Sequence, residues 1–188
     1  MARPRSDDRR GAIMGAAIRV IAAQGLGAPT ATIAREAGVS NGSLFTYFAT
    51  KADLLNHLYV ALKAEMAAAA LDGLPTEGDS RAQLRHMWSR WLRWATSCPE
   101  KRRTLAQLNV SDTITEESQQ AASASLAGIR ALLERSREHG PLRDAPLVFV
   151  VALLSALAEA TIDFMIRDPA NADEPSMAAF EALWRMIA

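Results

Sequence analysis

Residues 29–55 read PTATIAREAGVSNGSLFTYFATKADLL, and this segment carries the signals of two short helices joined by a tight turn. Small apolar residues recur at helical spacing before Gly38, and a glycine there can adopt the positive φ that ends a helix. Ser40 is a suitable N-cap for a second helix predicted over 41–48, and Thr50 for the helix after it. Two helices joined by a glycine turn form the scaffold of a helix-turn-helix.

The second of these helices presents side chains that suit nucleic acid. Leu44 and Phe48 stand four residues apart, so both are expected to face the core. The other side chains of this helix are uncharged and polar: Asn41, Ser43, Thr46 and Tyr47. Short hydroxyl and amide groups fit base edges and phosphate oxygens in a major groove. The alternative is the solvated face of an ordinary surface helix, which explains the preceding turn and the nearby basic residues poorly.

The same segment resembles the start of TetR-family transcriptional regulators. The matching positions are Thr30, Ile33, Ala34, Ala37, Gly38, Val39, Ser40, Gly42, Leu44, Tyr47, Phe48 and Lys51. The chain departs from the pattern at Phe45, where the family usually has a tyrosine whose hydroxyl can reach a phosphate. Phe45 stays among the predicted DNA-binding residues because its ring can give apolar contact, for instance to a thymine methyl.

The resemblance implies roles for individual residues of this segment. Tyr47 and Lys51 are expected to contact phosphates, and Thr30 to lie beside the DNA backbone or a base edge. The nearest candidates for base readout are Ser40, Asn41, Gly42, Ser43 and Thr46. The partner implied by these residues is a double-stranded DNA operator.

Charge is divided unevenly along the 188 residues, although the formal net charge is zero. Residues 1–51 hold seven Arg and Lys against three Asp and Glu, a net charge of +4, and the remainder holds 14 against 18, a net charge of −4. A basic N-terminal part, here called the head, and an acidic remainder, here called the body, fit DNA binding confined to the head. Arg3 and Arg5 lie in a short arm that either enters an adjacent minor groove or is a disordered tail.

Strand signals are almost absent, so we predict an all-α fold of about nine helices, with a three-helix head and a C-terminal helical bundle. The first helix is predicted to begin near Ser6, and its apolar stripe consists of Ile13, Ala16, Ala17, Val20 and Ile21. Glycine and proline delimit the later helices, predicted over 51–71, 81–97, 99–110, 113–139, 146–167 and 175–188. We expect a DNA-binding domain over 1–55 and a ligand-binding and dimerisation domain over 56–188.

Aromatic residues in the body are the candidates for an effector pocket. They are Trp88, Trp91, Trp94, Phe149 and Phe164. Tryptophans inside a bundle can line a pocket for a small apolar or aromatic ligand, although plain core packing is the commoner use of such residues. The resemblance implies a pocket of this kind in the middle helices.

The helix predicted over 146–167 is apolar on every face across residues 147–158. Either a single domain buries it completely, or part of it meets a second subunit. The resemblance implies a homodimer formed through the helices near 146–167 and 175–188. The longest uncharged run, 145–158, is shorter than the roughly 20 residues needed to cross a bilayer, so we expect a cytoplasmic protein without a membrane partner.

Nothing in the sequence indicates an enzyme, a cofactor or a metal. The histidines are scattered, and the chain has no HExxH, CxxC or glycine-rich phosphate loop. Cys98 is the single cysteine, which excludes an intrachain disulfide and fits a reducing cytoplasm. Because Cys98 falls on the apolar stripe of its helix, we predict that it is a small buried hydrophobe.

These features together predict a homodimeric, ligand-responsive transcriptional regulator, with repression as the expected mode. It would bind a near-palindromic operator and be released by a small apolar or aromatic effector. The alternative is a helical protein that binds or sequesters small molecules and whose head does not read DNA. A further hypothesis is a transcriptional activator with the same architecture.

Overall fold

Helices account for nearly all of the regular structure. The structure, a computed structural model, describes residues 3–75 and 79–188, the first four of them by backbone alone, and within these ranges no residue is in a strand. The elements are α1 (Arg3–Gln24), α2 (Thr30–Glu36), α3 (Asn41–Tyr47), α4 (Lys51–Leu71), α5 (Ser80–Ser97), α6 (Pro99–Asn109), α7 (Glu116–Ser125), α8 (Ala127–Ser136), α9 (Leu147–Arg167), a 3₁₀ turn (Pro169–Asn171) and α10 (Asp173–Ile187). The predicted all-α fold is confirmed, and the predicted helix count is close.

The chain divides into two compact units, each made of two segments. The first combines Met1–Ala64 with Cys98–Ala124, and the second combines Glu65–Ser97 with Ser125–Ala188. The first unit therefore holds α1 to α3, most of α4, α6 and nearly all of α7. The domain boundary expected between residues 55 and 56 stays a prediction.

The core of the first unit forms around α1. The whole predicted stripe of that helix is buried: Ile13, Ala16, Ala17, Val20 and Ile21. Ile33 of α2, Leu44 of α3 and Leu54 of α4 are fully buried in the same unit. Apolar residues at helical spacing thus give each short helix one buried face, which is what keeps helices of seven residues folded.

Two polar side chains of α6 attach that helix to the backbone of α1. Thr104, which is 0% exposed, donates its hydroxyl to the carbonyl of Ile18 at 3.1 Å. Gln107 donates from Nε2 to the carbonyl of Ile21 at 3.3 Å. Because both carbonyls lie in the second half of one helix, these bonds fix the register of α6 along α1.

The side chain of Asn56 in α4 holds the segment that leads into α7. Its Nδ2 donates to the carbonyl of Thr113 at 3.0 Å, and its Oδ1 accepts from the backbone N–H of Thr115 at 2.9 Å. Thr115 in turn accepts from the backbone N–H of Ser118 at 3.3 Å, so it acts as the N-cap of α7. One carboxamide therefore positions the start of a helix that lies about sixty residues further along the chain.

The core of the second unit combines one buried face from each of four helices. Its fully or almost fully buried members include Leu84, Met87 and Trp88 of α5, Leu132 and Leu133 of α8, Val150, Ala158 and Ile162 of α9, and Phe180 and Leu183 of α10. Arg137 closes the turn after α8, because its guanidinium pairs with Glu134 at 2.8 Å and donates to the carbonyls of Leu142 and Ala145.

Helix α9 buries only one side within its own unit. Across an 18-residue apolar window of this helix, 28% of the residues are buried. Its exposed apolar side chains are Val148, Phe149, Phe164 and Ile166. By length and composition α9 could also cross a membrane, but a single helix of this kind is weak evidence, since core helices of soluble proteins meet the same criteria.

The single helix predicted over 113–139 is wrong, because the structure has α7 and α8 in its place. Leu126 separates them, with φ −91° and ψ 3°, which is outside the helical region. Ser125 and Gly128 flank this break, and both residue types are weak helix formers. Gly128 also packs closely, since a Cβ there would lie 2.9 Å from Cδ1 of Leu71.

Smaller differences affect the ends of other helices. The predicted 41–48 helix ends at Tyr47, and the last helix begins at Asp173, two residues before the proline expected to open it. Pro146 is the N-cap of α9 and not its first residue. The predicted start of α4 at Lys51 is confirmed, as is that of α6 at Pro99.

Candidate nucleic-acid interface

A glycine turn sets the direction of α3 relative to α2. Gly38 has φ +69°, the left-handed value predicted from the sequence. The backbone N–H groups of Ala37 and Val39 donate to the carbonyls of Ile33 and Ala34, both at 2.9 Å, and so satisfy the end of α2. Any other residue at position 38 would have to adopt a strained backbone conformation.

Two side-chain caps hold the ends of the segment between α2 and α4. The hydroxyl of Ser40 accepts from the backbone N–H of Ser43 at 3.0 Å, which confirms the predicted cap of α3. The hydroxyl of Thr50 accepts from the N–H of Asp53 at 3.0 Å. The Asp53 carboxylate in turn accepts a hydrogen bond from the backbone N–H of Ala49 at 2.9 Å. Ala49 is the residue directly before the cap residue Thr50.

Phe48 anchors the end of α3 and is 0% exposed. The guanidinium of Arg10 lies 5.0 Å from the centroid of its ring, and the imidazole of His57 meets the ring edge-on at 5.5 Å. His57 also lies 3.0 Å from the Asp53 carboxylate. Helices α1 and α4 therefore both contact Phe48, the C-cap residue that follows α3.

The outer face of α3 is uncharged and open to solvent. Its exposed residues are Asn41, Gly42, Phe45 and Thr46, preceded by the exposed cap Ser40. Ser43 and Tyr47 on the flanks are half-buried. The hydroxyl of Thr46 donates to the carbonyl of Gly42 at 3.4 Å, and the Ser40 oxygen is engaged in the cap, which leaves its hydroxyl proton for an outside acceptor.

Thr30 and Lys51 mark the first turns of the helices on either side of α3. Thr30 is the first residue of α2 and Lys51 the first of α4, and both are half-buried. Arg35 of α2 is exposed, whereas Arg19 is engaged by Glu36 at 2.8 Å. The positive charge of the head thus comes from helices beside α3, and none of it comes from α3 itself.

Further along α4, Lys63 lies over the ring of Tyr59 with 5.5 Å between its Nζ and the ring centroid. Burial lowers the pKa of Lys63 and raises the pKa of Tyr59, because both charged forms lose hydration. Lys63 is therefore a packed residue of the first unit, and it is distinct from the predicted phosphate contact Lys51.

The prediction that Arg3 and Arg5 lie in a short arm before α1 is wrong. The helix begins at Arg3, three residues earlier than predicted, so the backbone of Arg3 and Arg5 is helical. Three acidic or polar residues, Ser6, Asp7 and Asp8, follow within the same helix. The side chains of Arg3 and Arg5 lie outside the described residues, and their contact with DNA stays a prediction.

The three candidate tryptophans of α5 differ in exposure and in partner. Trp88 is buried, donates its indole N–H to the carbonyl of Ser176 at 3.3 Å, and meets Trp91 edge-on at 6.2 Å. Trp94 is buried and donates to the Glu65 carboxylate at 2.9 Å. Trp91 is half-buried. A buried indole needs an acceptor, but the sequence does not indicate which residue supplies it.

Phe149 and Phe164 do not join these tryptophans in the interior. They are 50% and 43% exposed on α9, on the side of the helix that its own unit leaves uncovered. Their place in a ligand pocket remains a prediction. Cys98 is also less buried than predicted, because it lies directly before Pro99, between the end of α5 and the start of α6, and not within a helix.

Sequence reasoning missed the residues that hold the head together through side chains. Arg10, Asn56 and His57 carry no motif, and only their contacts in space reveal them. In the part of the chain that the structure describes, no three His, Cys, Asp or Glu side chains come close enough together to hold a metal ion.

A glycine-turned pair of helices with a capped, outward-facing second helix defines a helix-turn-helix DNA-binding regulator. Residues 13–58 match the sequence model of the bacterial regulatory proteins of the tetR family. A protein of Shewanella sp. PV-4 assigned to the same family of transcription regulators has a similar structure, with 28% identity, a TM-score of 0.84, and coverage of 94% of this chain and 96% of that one. The sequence match over residues 13–58 and the structural likeness along the whole chain support a TetR-family transcriptional regulator.

More distant structures share the fold. A TetR family regulator from Marinobacter aquaeolei VT8 is 24% identical with a TM-score of 0.86, and the alignment covers 97% of this chain and 96% of that one. LfrR from Mycobacterium smegmatis, in complex with proflavine, is 22% identical with a TM-score of 0.68, over 96% of this chain and 98% of that one. The likeness therefore extends well beyond the head.

Proposed function

We propose that this protein is a homodimeric transcriptional repressor that binds a near-palindromic DNA operator and is released by a small-molecule effector. The observation that carries the proposal is the outer face of α3, which is exposed, uncharged and rich in short hydroxyl and amide groups. Such groups match base edges in a major groove, and the flanking helices supply positive charge for phosphates. As TetR-family regulators are generally non-enzymatic, cytoplasmic proteins, we expect neither catalytic activity nor membrane insertion.

Within this proposal, Asn41–Tyr47 enters the major groove. Tyr47 and Lys51 contact phosphates, and Thr30 lies beside the DNA backbone at the start of α2. Ser40, Asn41, Gly42, Ser43 and Thr46 are the residues nearest to the bases, and Arg3 and Arg5 approach from the start of α1. The half-burial of Tyr47 and Lys51 supports this arrangement, because their anchored stems leave only the polar ends to reach the backbone.

The uncovered face of α9 supports the homodimer. Only 28% of the residues in the apolar stretch of α9 are buried, and an exposed apolar surface of this kind is unfavourable in water unless another surface covers it. Met177 of α10 is 63% exposed and adds to the apolar surface of the same unit. A two-fold dimer through α9 and α10 covers both and places two heads on half-sites about 34 Å apart, one turn of DNA.

The tryptophans of α5 support an aromatic or apolar effector. Trp91 and Trp94 lie in the second unit, where a planar ligand could stack against indole rings, and proflavine in the LfrR complex is a ligand of that kind. Effector binding would favour a spacing of the two heads that no longer fits both half-sites. A coupling of about 1–3 kcal/mol lowers operator affinity roughly 5- to 150-fold.

The proposed phosphate contacts are tested by Tyr47→Ala and Lys51→Ala in the full chain. Each variant should bind every operator sequence more weakly. Lys51→Ala should also lower the salt dependence of binding by about one counterion, because it removes one positive charge from the interface. The measurement is operator affinity by fluorescence anisotropy across a salt series. Arg85→Ala, which removes an exposed charge from α5, is the matched control and should leave both quantities unchanged.

Unchanged affinity in both variants at moderate salt would contradict this assignment. The operator itself comes from selection of random duplexes with the purified protein. If no sequence is enriched, the alternative of a helical small-molecule binding protein, with a head that does not read DNA, is favoured instead.

A further inference from the structure

Phe45 is an apolar side chain in an otherwise polar surface. It is 41% exposed, and among the described residues of α1 to α4 it is the only large hydrophobic side chain that is exposed. Leu44 and Phe48, its neighbours in the sequence pattern, are both 0% exposed and already anchor α3 to the core. The fold therefore does not require an aromatic residue at position 45, and its ring remains available to an outside partner.

The surroundings of Phe45 leave room for a close approach. Asn41 and Gly42 precede it by four and three residues, so they share its side of the helix. Gly42 has no side chain, and apart from its chain neighbours and the backbone of its own helix no described atom lies within 4 Å of the place where a Cβ would stand. A bare stretch of helix backbone thus lies beside an exposed aromatic ring.

The chemistry of a phenyl ring limits what it can recognise on DNA. It has neither a donor nor an acceptor, so it cannot read the hydrogen-bonding edges of the bases. The only apolar group on the major-groove edge of a base pair is the C5-methyl of thymine. Contact between that methyl and the ring removes apolar surface of both from water.

We propose that Phe45 is a specificity-determining residue that selects a thymine in each operator half-site by contact with its methyl group. This inference rests on the proposed function, because it requires α3 to lie in the major groove. It adds a base preference to that function, and it assigns the preference to one side chain.

The test uses an operator obtained by selection with the full-length protein, in which single thymines are replaced by deoxyuridine. This replacement removes the methyl group and leaves every hydrogen-bonding group unchanged. For the wild type, affinity should fall about fourfold at one thymine per half-site, as expected for the burial of one methyl group. The Phe45→Ala variant should bind the thymine duplex more weakly than the wild type does. Replacing the same thymine by deoxyuridine should then change the affinity of this variant by less than about 1.5-fold.

Two control variants separate Phe45 from its neighbours. Thr46→Ser removes the other methyl group on this face, and it should retain the full uridine effect. Asn41→Ala should bind more weakly but retain the effect as well. Phe45→Ala is expected to fold normally because the removed ring is partly exposed, and circular dichroism checks this.

Other outcomes overturn the proposal in distinguishable ways. If uridine is tolerated everywhere while Phe45→Ala still weakens binding, the ring packs against the sugar-phosphate backbone. If the uridine effect persists in Phe45→Ala but vanishes in Thr46→Ser, the methyl is read by Thr46. If selection enriches no sequence, thymine readout and the proposed function both fail.

Discussion

Single residues define the geometry of the candidate interface. Gly38 makes the turn, Ser40 and Thr50 cap the helices that follow, and Asp53 closes the second cap. Each cap is worth about 1 kcal/mol, a large share of the stability of a seven-residue helix. Gly38, Ser40 and Thr50 could be predicted from the sequence, because glycine turns and capping residues act on the backbone within a few positions.

Substitution of Gly42 is expected to change stability and operator affinity in opposite directions. Gly42→Ala should raise the free energy of unfolding by about 0.5–1 kcal/mol, because alanine is the better helix former and its Cβ meets open space. It should at the same time weaken operator binding, because the methyl group occupies the surface that approaches the bases. Thermal unfolding and anisotropy on the same preparation measure both effects.

Gly11→Ala is the matched control for this experiment. Gly11 is exposed in α1 with open space around it and is outside the proposed contacts. It should raise stability in the same way and leave operator affinity unchanged. A Gly42→Ala protein that binds as tightly as the wild type would show that the DNA does not approach this part of α3.

At the scale of elements, the sequence predicts helix ends well where strong local signals mark them. Gly38 and Pro99 are such signals, and the boundaries they predict are confirmed. The break at Leu126 has no glycine or proline at that position, and its flanking signals are weak. The attachment of α6 and α7 to the first unit also escaped prediction, because side chains such as Thr104 and Asn56 act over long sequence separations.

Asn56 offers a test of how α7 is held. Asn56→Ala should lower the free energy of unfolding by about 1–3 kcal/mol, because it removes hydrogen bonds to Thr113 and Thr115 and leaves a backbone N–H without its partner. Urea denaturation gives the value. Asn109→Ala, at an exposed position in α6, should change it by less than about 0.5 kcal/mol. Equal effects of the two substitutions would show that the carboxamide contributes nothing to holding α7.

At the scale of the whole molecule, charge and apolar surface point to different partners. The basic head and the neutral face of α3 suit DNA, whereas the uncovered side of α9 suits a second copy of the chain. The polar pattern of α3 and the division of charge along the chain predicted the first surface. For the second, the apolar composition of α9 left complete burial and contact with a second subunit open, and the TetR resemblance implied the subunit contact. The sequence did not predict the exposure of Phe149 and Phe164, because an all-apolar helix does not reveal which of its sides the core occupies.

Ala156→Arg tests the subunit interface directly. Ala156 is exposed on α9, so the folded subunit can accept arginine there, but a dimer would have to bury the charge. We expect a dimer for the wild type and a monomer for the variant in sedimentation velocity at micromolar concentration. Operator affinity should fall with dimerisation, since a single head contacts only one half-site.

Ala131→Arg places the same charge on an exposed position of α8 and should leave the dimer intact. Circular dichroism establishes that both variants are folded. A wild-type protein that sediments as a monomer would remove the basis for a two-fold operator.

The hydrogen bonds from Thr104 and Gln107 to the carbonyls of α1 bear on how the protein opens and closes locally. In terms of amide hydrogen exchange, helices joined by buried contacts open as one cooperative unit and share one protection level. Helix α6 would therefore be protected together with α1, although 86 positions of sequence separate Gln107 from its partner Ile21. The two side-chain contacts would thus make α6 part of the folding unit that also contains α3.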